Sequence, residues 1–316
     1  MANEWGQPPP SGWCAQGRER LLAPGGIRRV GPYECFGHRF TIDTPDGELA
    51  EFLAVAYSTM AARDVDGASR YYVQPPCGGE PGIVIKDGEL VKSVTRTPSH
   101  ALARLIWVVN RHVIDSARDR LVLHSATATF AGRAVVLAAP MESGKTTLVT
   151  GLVDRGWTYL TDEATAIGPD LMVEGYPKPL SIDRGAWPVL SHHAPAATEL
   201  TPYFTRQWQV PGPWIGRWAR RAQLGMLVFP RYEPGAGVRF EAISPATAVR
   251  MAMACAFSPA GRHRVEALAE LALRVPAYRL THDDIEGCHR RLVDELHELG
   301  PAAAARGVVS DAPAGV

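Results

Sequence analysis

Apolar positions along this chain follow two rhythms, one of period two and one near 3.6, and their alternation predicts a mixed α/β protein. The run Phe36-Gly-His-Arg-Phe-Thr-Ile-Asp43 alternates as a half-buried strand does, and residues 47–57 carry apolar side chains at helical spacing. Tyr71-Tyr-Val73 and residues 82–91 read as strands, the latter folded at the hairpin dipeptide Asp87-Gly88. Together they predict a small N-terminal α/β unit over residues 30–98.

A longer pattern follows. A helix begins at Pro98, with Ser99 as its expected cap and Leu102, Leu105, Ile106, Val109, Val113 and Ile114 as its apolar stripe. Residues 121–130 read as a strand, and after a turn at Ala131-Gly132-Arg133 comes Ala134-Val-Val-Leu-Ala-Ala139, continuously apolar as a strand buried on both faces should be. A helix over 145–155 closes at Gly156, and residues 157–163 are again strand-like. Strand, glycine turn, helix and strand within about thirty residues form a βαβ unit. Near the C-terminus, residues 265–273 make an amphipathic helix, 275–280 a strand, and 283–299 a closing helix capped by Thr281 or Asp283. The expected larger domain spans residues 99–300, with a parallel or mixed sheet flanked by helices. Proline- and glycine-rich residues 1–29 read as a flexible leader, and the small-residue segment 301–316 as a disordered tail.

The chain has 316 residues, 46% hydrophobic and 21% charged, with 33 basic and 33 acidic side chains. That balance supplies no electrostatic pull toward nucleic acid or anionic lipid. No run of about 18 apolar residues predicts a membrane span, and the first residues lack the pattern of a signal peptide. Five cysteines without a CxxC pair suit a reducing compartment, so a soluble cytoplasmic protein is expected. Cys288, His289 and His297 fall among charged residues on the closing helix and read as its surface rather than as metal ligands.

Candidate chemistry centres on Pro140-Met141-Glu142-Ser143-Gly144-Lys145-Thr146-Thr147. The phosphate-binding pattern G-x-x-x-x-G-K-[ST] is intact from Ser143 to Thr146, with Ala139 standing at its first glycine. An apolar strand precedes it and a helix follows, so unpaired N–H groups and the positive end of a helix dipole would meet a triphosphate there. Gly144 lets the backbone approach, Lys145 supplies a cation for the β/γ-phosphates, and the Thr146 hydroxyl is a Mg²⁺ ligand. Asp162 and Glu163 end the next strand, where one carboxylate can hold Mg²⁺ with Thr146 and the other can accept a proton from an attacking hydroxyl. His124, at the end of the strand before the loop, is the remaining candidate.

These residues together resemble the HPr kinase/phosphorylase superfamily, in particular its branch of HPr-kinase-related kinases. The resemblance is carried by Leu123-His124-Ser125-Ala126, by the loop from Ala138 to Leu148, and by Arg155-Gly-Trp-Thr-Tyr-Leu-Thr-Asp-Glu163. Tyr176-Pro-Lys-Pro-Leu-Ser181, Leu227-Val-Phe-Pro-Arg-Tyr232 and Val275-Pro-Ala-Tyr-Arg-Leu280 add to it, so that it covers most of residues 30–295. It implies a P-loop kinase core related to that of phosphoenolpyruvate carboxykinase, with ATP and Mg²⁺ as cofactors and transfer of the γ-phosphate to a hydroxyl, often a serine of a protein or peptide. By position it gives phosphate and metal to Lys145 and Thr146, the proton to Asp162, a supporting role at the metal to Glu163, and a place near the reacting phosphate to His124. Members of the family are commonly oligomeric, so a homo-oligomer is implied. The chain departs from the pattern at Ala139 and Glu163 and lacks the longer glycine- and arginine-containing signature of the bifunctional enzymes, of which Arg184-Gly185 is a remnant. The resemblance therefore implies neither phosphorylase activity nor HPr as the acceptor.

Three features lie outside that pattern. Lys178, between two prolines, could reach a phosphate or stay solvated; residues 206–221, with three Trp and four Arg, could form a lid over the site or pack as structure; and His192-His193 read as solvated. Three functions compete: a kinase for a peptide or protein serine, a small-molecule hydroxyl kinase, and a nucleotide-binding regulatory module with little turnover.

Overall fold

The first alternating run does not begin the sheet, because a strand precedes it. In the computed structural model, which describes residues 26–74, 82–117, 120–196, 200–257 and 262–300, β1 (Arg28–Cys35) turns back into β2 (His38–Thr44) through Phe36 and Gly37, both with positive φ (51° and 85°), as a two-residue hairpin requires. The β1–β2 register slips between Val30 and Tyr33, around Pro32, which has no N–H to give to a ladder. The expected flexible leader otherwise lies outside the described residues, as does the expected tail from 301.

The chain divides into two units, one running to Ser116 and taking in Ala194–Gln209, the other built from Ala117–His193 and the chain from Val210. In the first, α1 (Gly47–Ala56) crosses from β2 to the parallel β3 (Ser69–Gln74), and β4 (Ile83–Asp87) and β5 (Leu90–Thr95) extend the sheet antiparallel, in the order β1-β2-β3-β4-β5. The hairpin forms one residue beyond the expected dipeptide: Asp87 pairs with Leu90, so Gly88, with φ 57°, and Glu89 make the turn. Helix α2 (Pro98–Ser116) buries Leu102, Leu105, Ile106, Val109 and Val113 and packs on β4 and β5. This burial puts the unit's boundary after Ser116, whereas the sequence reading placed it after residue 98. The cap is also shifted: Thr97 Oγ1 accepts from the His100 amide, while Ser99 lies buried inside the first turn.

The second unit holds an eight-stranded mixed sheet. Its long strands are β6 (Leu121–Phe130), β7 (Arg133–Ala138) and β13 (Arg221–Tyr232), and its helix α3 (Lys145–Val153) follows β7. Between α3 and β13 come the short strands β8 (Thr158–Thr161), β9 (Ala164–Ile167), β10 (Met172–Gly175), β11 (Leu180–Asp183) and β12 (Gln207–Val210), and the one-turn α4 (Gly212–Ile215). After β13 the chain forms β14 (Val238–Ala242), α5 (Pro245–Met253), α6 (Arg262–Arg274), β15 (Ala277–His282) and α7 (Ile285–Glu298). The α7 cap is Asp284, whose side chain accepts from the Glu286 amide; neither Thr281 nor Asp283 caps it.

Strand β7 runs parallel to β13, and β13 parallel to β15, while β6 lies antiparallel to β7, β8 and β9. Strands β7 and β8 therefore point the same way but are separated by β6, so the βαβ unit read from the sequence is not a directly paired one. Strand β10 pairs with both β9 and the start of β13, which closes β10, β9, β6, β7 and β13 into a ring. Leu123, Val136, Val173 and Leu227 from its strands and Leu160 from β8 belong to one hydrophobic core cluster, all almost fully buried. Glu174 on β10 meets Arg120, Arg220 and Arg221; burial alone would raise its carboxyl, but hydrogen bonds and charge from Arg120 and Arg221 hold it below the usual range. No helix among the described residues is long and apolar enough to cross a membrane.

Candidate functional site

The loop between β7 and α3 starts from a strand with every residue from Ala134 to Ala139 buried, so its ends are fixed by packing. Positive φ falls at Glu142 (62°) and Gly144 (84°), not at Ala139, so the residue at the pattern's first position needs no glycine backbone. Ala139 instead contributes its carbonyl. The Lys145 ammonium donates to the carbonyls of Ala139 (2.9 Å) and Pro140 (2.7 Å) and to Ser143 Oγ (3.4 Å), and burial lowers its pKa. Pro140, Met141 and Glu142 are exposed; Ser143, Gly144, Thr146 and Thr147 are half-buried. Gly144 caps α3 in the left-handed conformation.

Opposite the loop, β8 ends in the turn that carries Asp162 and Glu163. Because β6 pairs with both β8 and β9, His124 lies across from Ala164, and the Ser125 amide donates to the Glu163 carbonyl. Thr146 Oγ1 donates to Asp162 Oδ2 at 3.4 Å. Asp162 also accepts from Tyr159 Oη (3.1 Å), from the Ser181 amide (3.3 Å) and from Lys178 Nζ (2.9 Å). Lys178 is the residue whose part the sequence left open. Its side chain is 1% exposed, which excludes a solvated lysine, and it reaches Glu163 Oε2 at 3.7 Å and donates to Pro179 O and Ser181 Oγ. Burial alone would lower the Lys178 ammonium, but Asp162 and Glu163 outweigh it and the net direction is up. Burial, with Asp162 adding to it, pushes the Glu163 carboxyl up against the pull of Lys178 and Lys145.

His124 joins this group from β6. Its ring stacks at a tilt 5.3 Å from Phe257, its amide donates to the Cys255 carbonyl, and its pKa is lowered to about 4, by burial first and then by the Lys145 cation. The structure thus brings His124, Lys145, Thr146, Asp162 and Glu163 to one edge of the sheet and adds Lys178 and Tyr159. A lysine locked between prolines two strands from an acidic strand end is a signal for such a role, but its burial is not.

Three other readings change. From the Trp/Arg-rich segment, the 217–219 backbone pairs along Tyr159 on β8, Arg217 donates to the Gly156 carbonyl, and Arg220 and Arg221 face Glu174, so these cations tie strands together. Arg206 donates to His100 in the first unit. Cys288 is fully buried on α7 and His289 accepts from the Trp157 indole, so the two do not share a surface. His192 and His193 are not simply solvated; both bond Asp154.

No family model matches the chain, and no curated protein matches it. Among solved structures it is similar to the HPr(Ser) kinase/phosphatase from Coxiella burnetii, at 11% identity and a TM-score of 0.30, over 56% of this chain and 96% of that one.

Proposed function

We propose that the protein is an ATP-dependent phosphotransferase that moves the γ-phosphate to a hydroxyl group, with a peptide or protein serine favoured as the acceptor. The observation that carries this reading is Asp162, set between the Thr146 hydroxyl of the first turn of α3 and the Lys178 ammonium. A site that only gripped phosphates would need the loop and the N-terminus of α3 but no buried carboxylate facing its hydroxyl.

The loop Pro140 to Thr147 binds the phosphates, with backbone N–H groups at the start of α3 and with Lys145, which exchanges its carbonyl partners for phosphate oxygens. Thr146 Oγ1 and Asp162 Oδ2 are adjacent hard oxygen donors and fit Mg²⁺. Bound there with Glu163 nearby, the ion would neutralise charge on the β- and γ-phosphate oxygens. Asp162 accepts from four donors, which leaves little capacity for a further proton, whereas Glu163 has one loose contact with Lys178 and a side chain 26% exposed. We therefore assign the proton of the attacking hydroxyl to Glu163 and the metal to Asp162, the reverse of the division the family pattern implies. His124, neutral at physiological pH, donates or accepts a hydrogen bond beside the transferring group without adding charge.

The test is transfer of label from γ-labelled ATP to a panel of serine peptides and small alcohols, with and without Mg²⁺. Metal-dependent labelling of a peptide that is lost in Glu163→Gln supports the reading. Tight ATP binding with no transfer to any acceptor would instead make the chain a nucleotide-binding module, and labelling of small alcohols alone would make it a small-molecule kinase.

A further inference from the structure

At the far end of α3 from the loop, three metal-ligating side chains converge. Asp154 follows the last residue of α3, and the turn Ser191–His193 brings two consecutive histidines to it. His192 Nε2 lies 3.0 Å from Asp154 Oδ2 and His193 Nε2 lies 2.9 Å from Oδ1. The two rings are 4.2 Å apart between centroids, and the three ligand atoms lie within 4.8 Å of one another. Adjacent residues on a helical turn project about 100–120° apart, so two neighbouring imidazoles aimed at one carboxylate are a specific arrangement.

We propose that Asp154, His192 and His193 form a binding site for a transition-metal dication of the zinc type. Three arguments converge. The donor set is two imidazole nitrogens and one carboxylate, the chemistry that selects Zn²⁺ and its neighbours over Mg²⁺ and Ca²⁺. In a tetrahedral site with bonds of about 2.0–2.1 Å the donors stand about 3.3 Å apart; here each imidazole nitrogen lies 2.9 or 3.0 Å from one of the two Asp154 oxygens, and the three ligand atoms are within 4.8 Å of one another. The carboxylate also sits at the negative end of the α3 dipole, where an anion is disfavoured and a cation stabilises. The His193 side chain is 9% and that of Asp154 22% exposed, a fixed base, while that of His192 at 57% faces solvent, from where water would complete the coordination.

The nine residues of α3 span about 13 Å, so this centre is separate from the phosphate loop and does not rest on the phosphotransferase reading. The test uses the full chain, stripped with a chelator and titrated with Co²⁺ in excess Mg²⁺, which masks oxygen-only sites. The expected result is one Co²⁺ per chain, seen as visible d–d absorption and displaced by Zn²⁺. His192→Ala/His193→Ala should weaken binding by about 100-fold or more, and Asp154→Asn should weaken it while the circular dichroism spectrum stays native. Lys145→Ala should leave it unchanged. Undiminished Co²⁺ affinity in the double variant, or no Co²⁺ absorption in the natural chain at saturating metal, would overturn the assignment.

Discussion

Lys178 Nζ and Asp162 Oδ1 meet at 2.9 Å, with both side chains at most 2% exposed. Two charges so far from water are each costly, and each is tolerable only because the other is there. Asp162 is thereby fixed in place by groups from three directions: Tyr159 on its own strand, the Ser181 amide beyond the prolines, and Lys178 between them.

Lys178→Met should therefore destabilise the second unit by about 3–5 kcal/mol, because it leaves a buried carboxylate uncompensated. Asp162→Leu combined with Lys178→Met should recover more than half of that loss. Chemical denaturation of the four proteins of the cycle measures it; two single losses that simply add would show that the pair is not coupled.

At the loop, Lys145→Met should lower phosphoryl transfer by about 10²–10³-fold, the usual cost of one charge-stabilising donor. Thr146→Ala should raise the Mg²⁺ concentration needed for half-maximal rate, whereas Thr146→Ser keeps the hydroxyl and should not. Initial rates across a Mg²⁺ series separate these effects, and a Thr146→Ala enzyme with an unchanged metal requirement would remove Thr146 from the metal site.

Gly175→Ala tests the closeness of β10 to β8. A β-carbon there would lie 2.5 Å from the Leu160 carbonyl oxygen, a backbone atom that cannot rotate away. The strands must part, at a cost of about 1–3 kcal/mol, and Asp162, two residues beyond Leu160, should move with them. A fall in both melting temperature and transfer rate is expected; an unaltered melting temperature would contradict the contact.

Acidification should weaken the first unit through His38. Its pKa is lowered to about 4 by burial and by His112, with Asp87 pulling the other way, and its Nε2 shares a hydrogen bond of 2.8 Å with Tyr71 Oη, which also meets His112 Nδ1. The unfolded chain takes up this proton near pH 6.5 and the folded one only near 4, so stability falls as pH drops through that window, by up to about 3 kcal/mol. His38→Gln should flatten the pH dependence of unfolding over that range.

The parts of the fold legible in sequence were those with an uninterrupted rhythm. Strands β6 and β7, helices α2 and α3 and the Asp87-Gly88 hairpin announce themselves because burial repeats along each for six residues or more, or because a turn demands particular residues. Strand β1 was hidden by Gly31-Pro32, which breaks its alternation at a bulge. Strands β9 and β10 have four residues each, too few to fix a period, and their places in the sheet depend on partners about fifty residues away. The same limit applied at the site. The loop residues are contiguous and were legible together. The burial of Lys178 against Asp162 joins residues 16 apart through a fold, and His192 and His193 find Asp154 across 38 and 39. Local sequence fixes which side chains carry chemistry but not which of them meet.

The ring of β10, β9, β6, β7 and β13 also sets an order of assembly. Strands β6 to β10 lie within residues 121–175 and can pair with short loops between them, but β13, which completes the ring, begins only at Arg221. Closing that gap carries a larger loop-entropy cost and belongs late in folding. A chain still on the ribosome with residue 220 just emerged would hold the loop, α3 and both carboxylates on an unclosed sheet with bare edges at β7 and β10. Ligand-competent geometry would then arrive in one step, when β13 docks and covers both edges together.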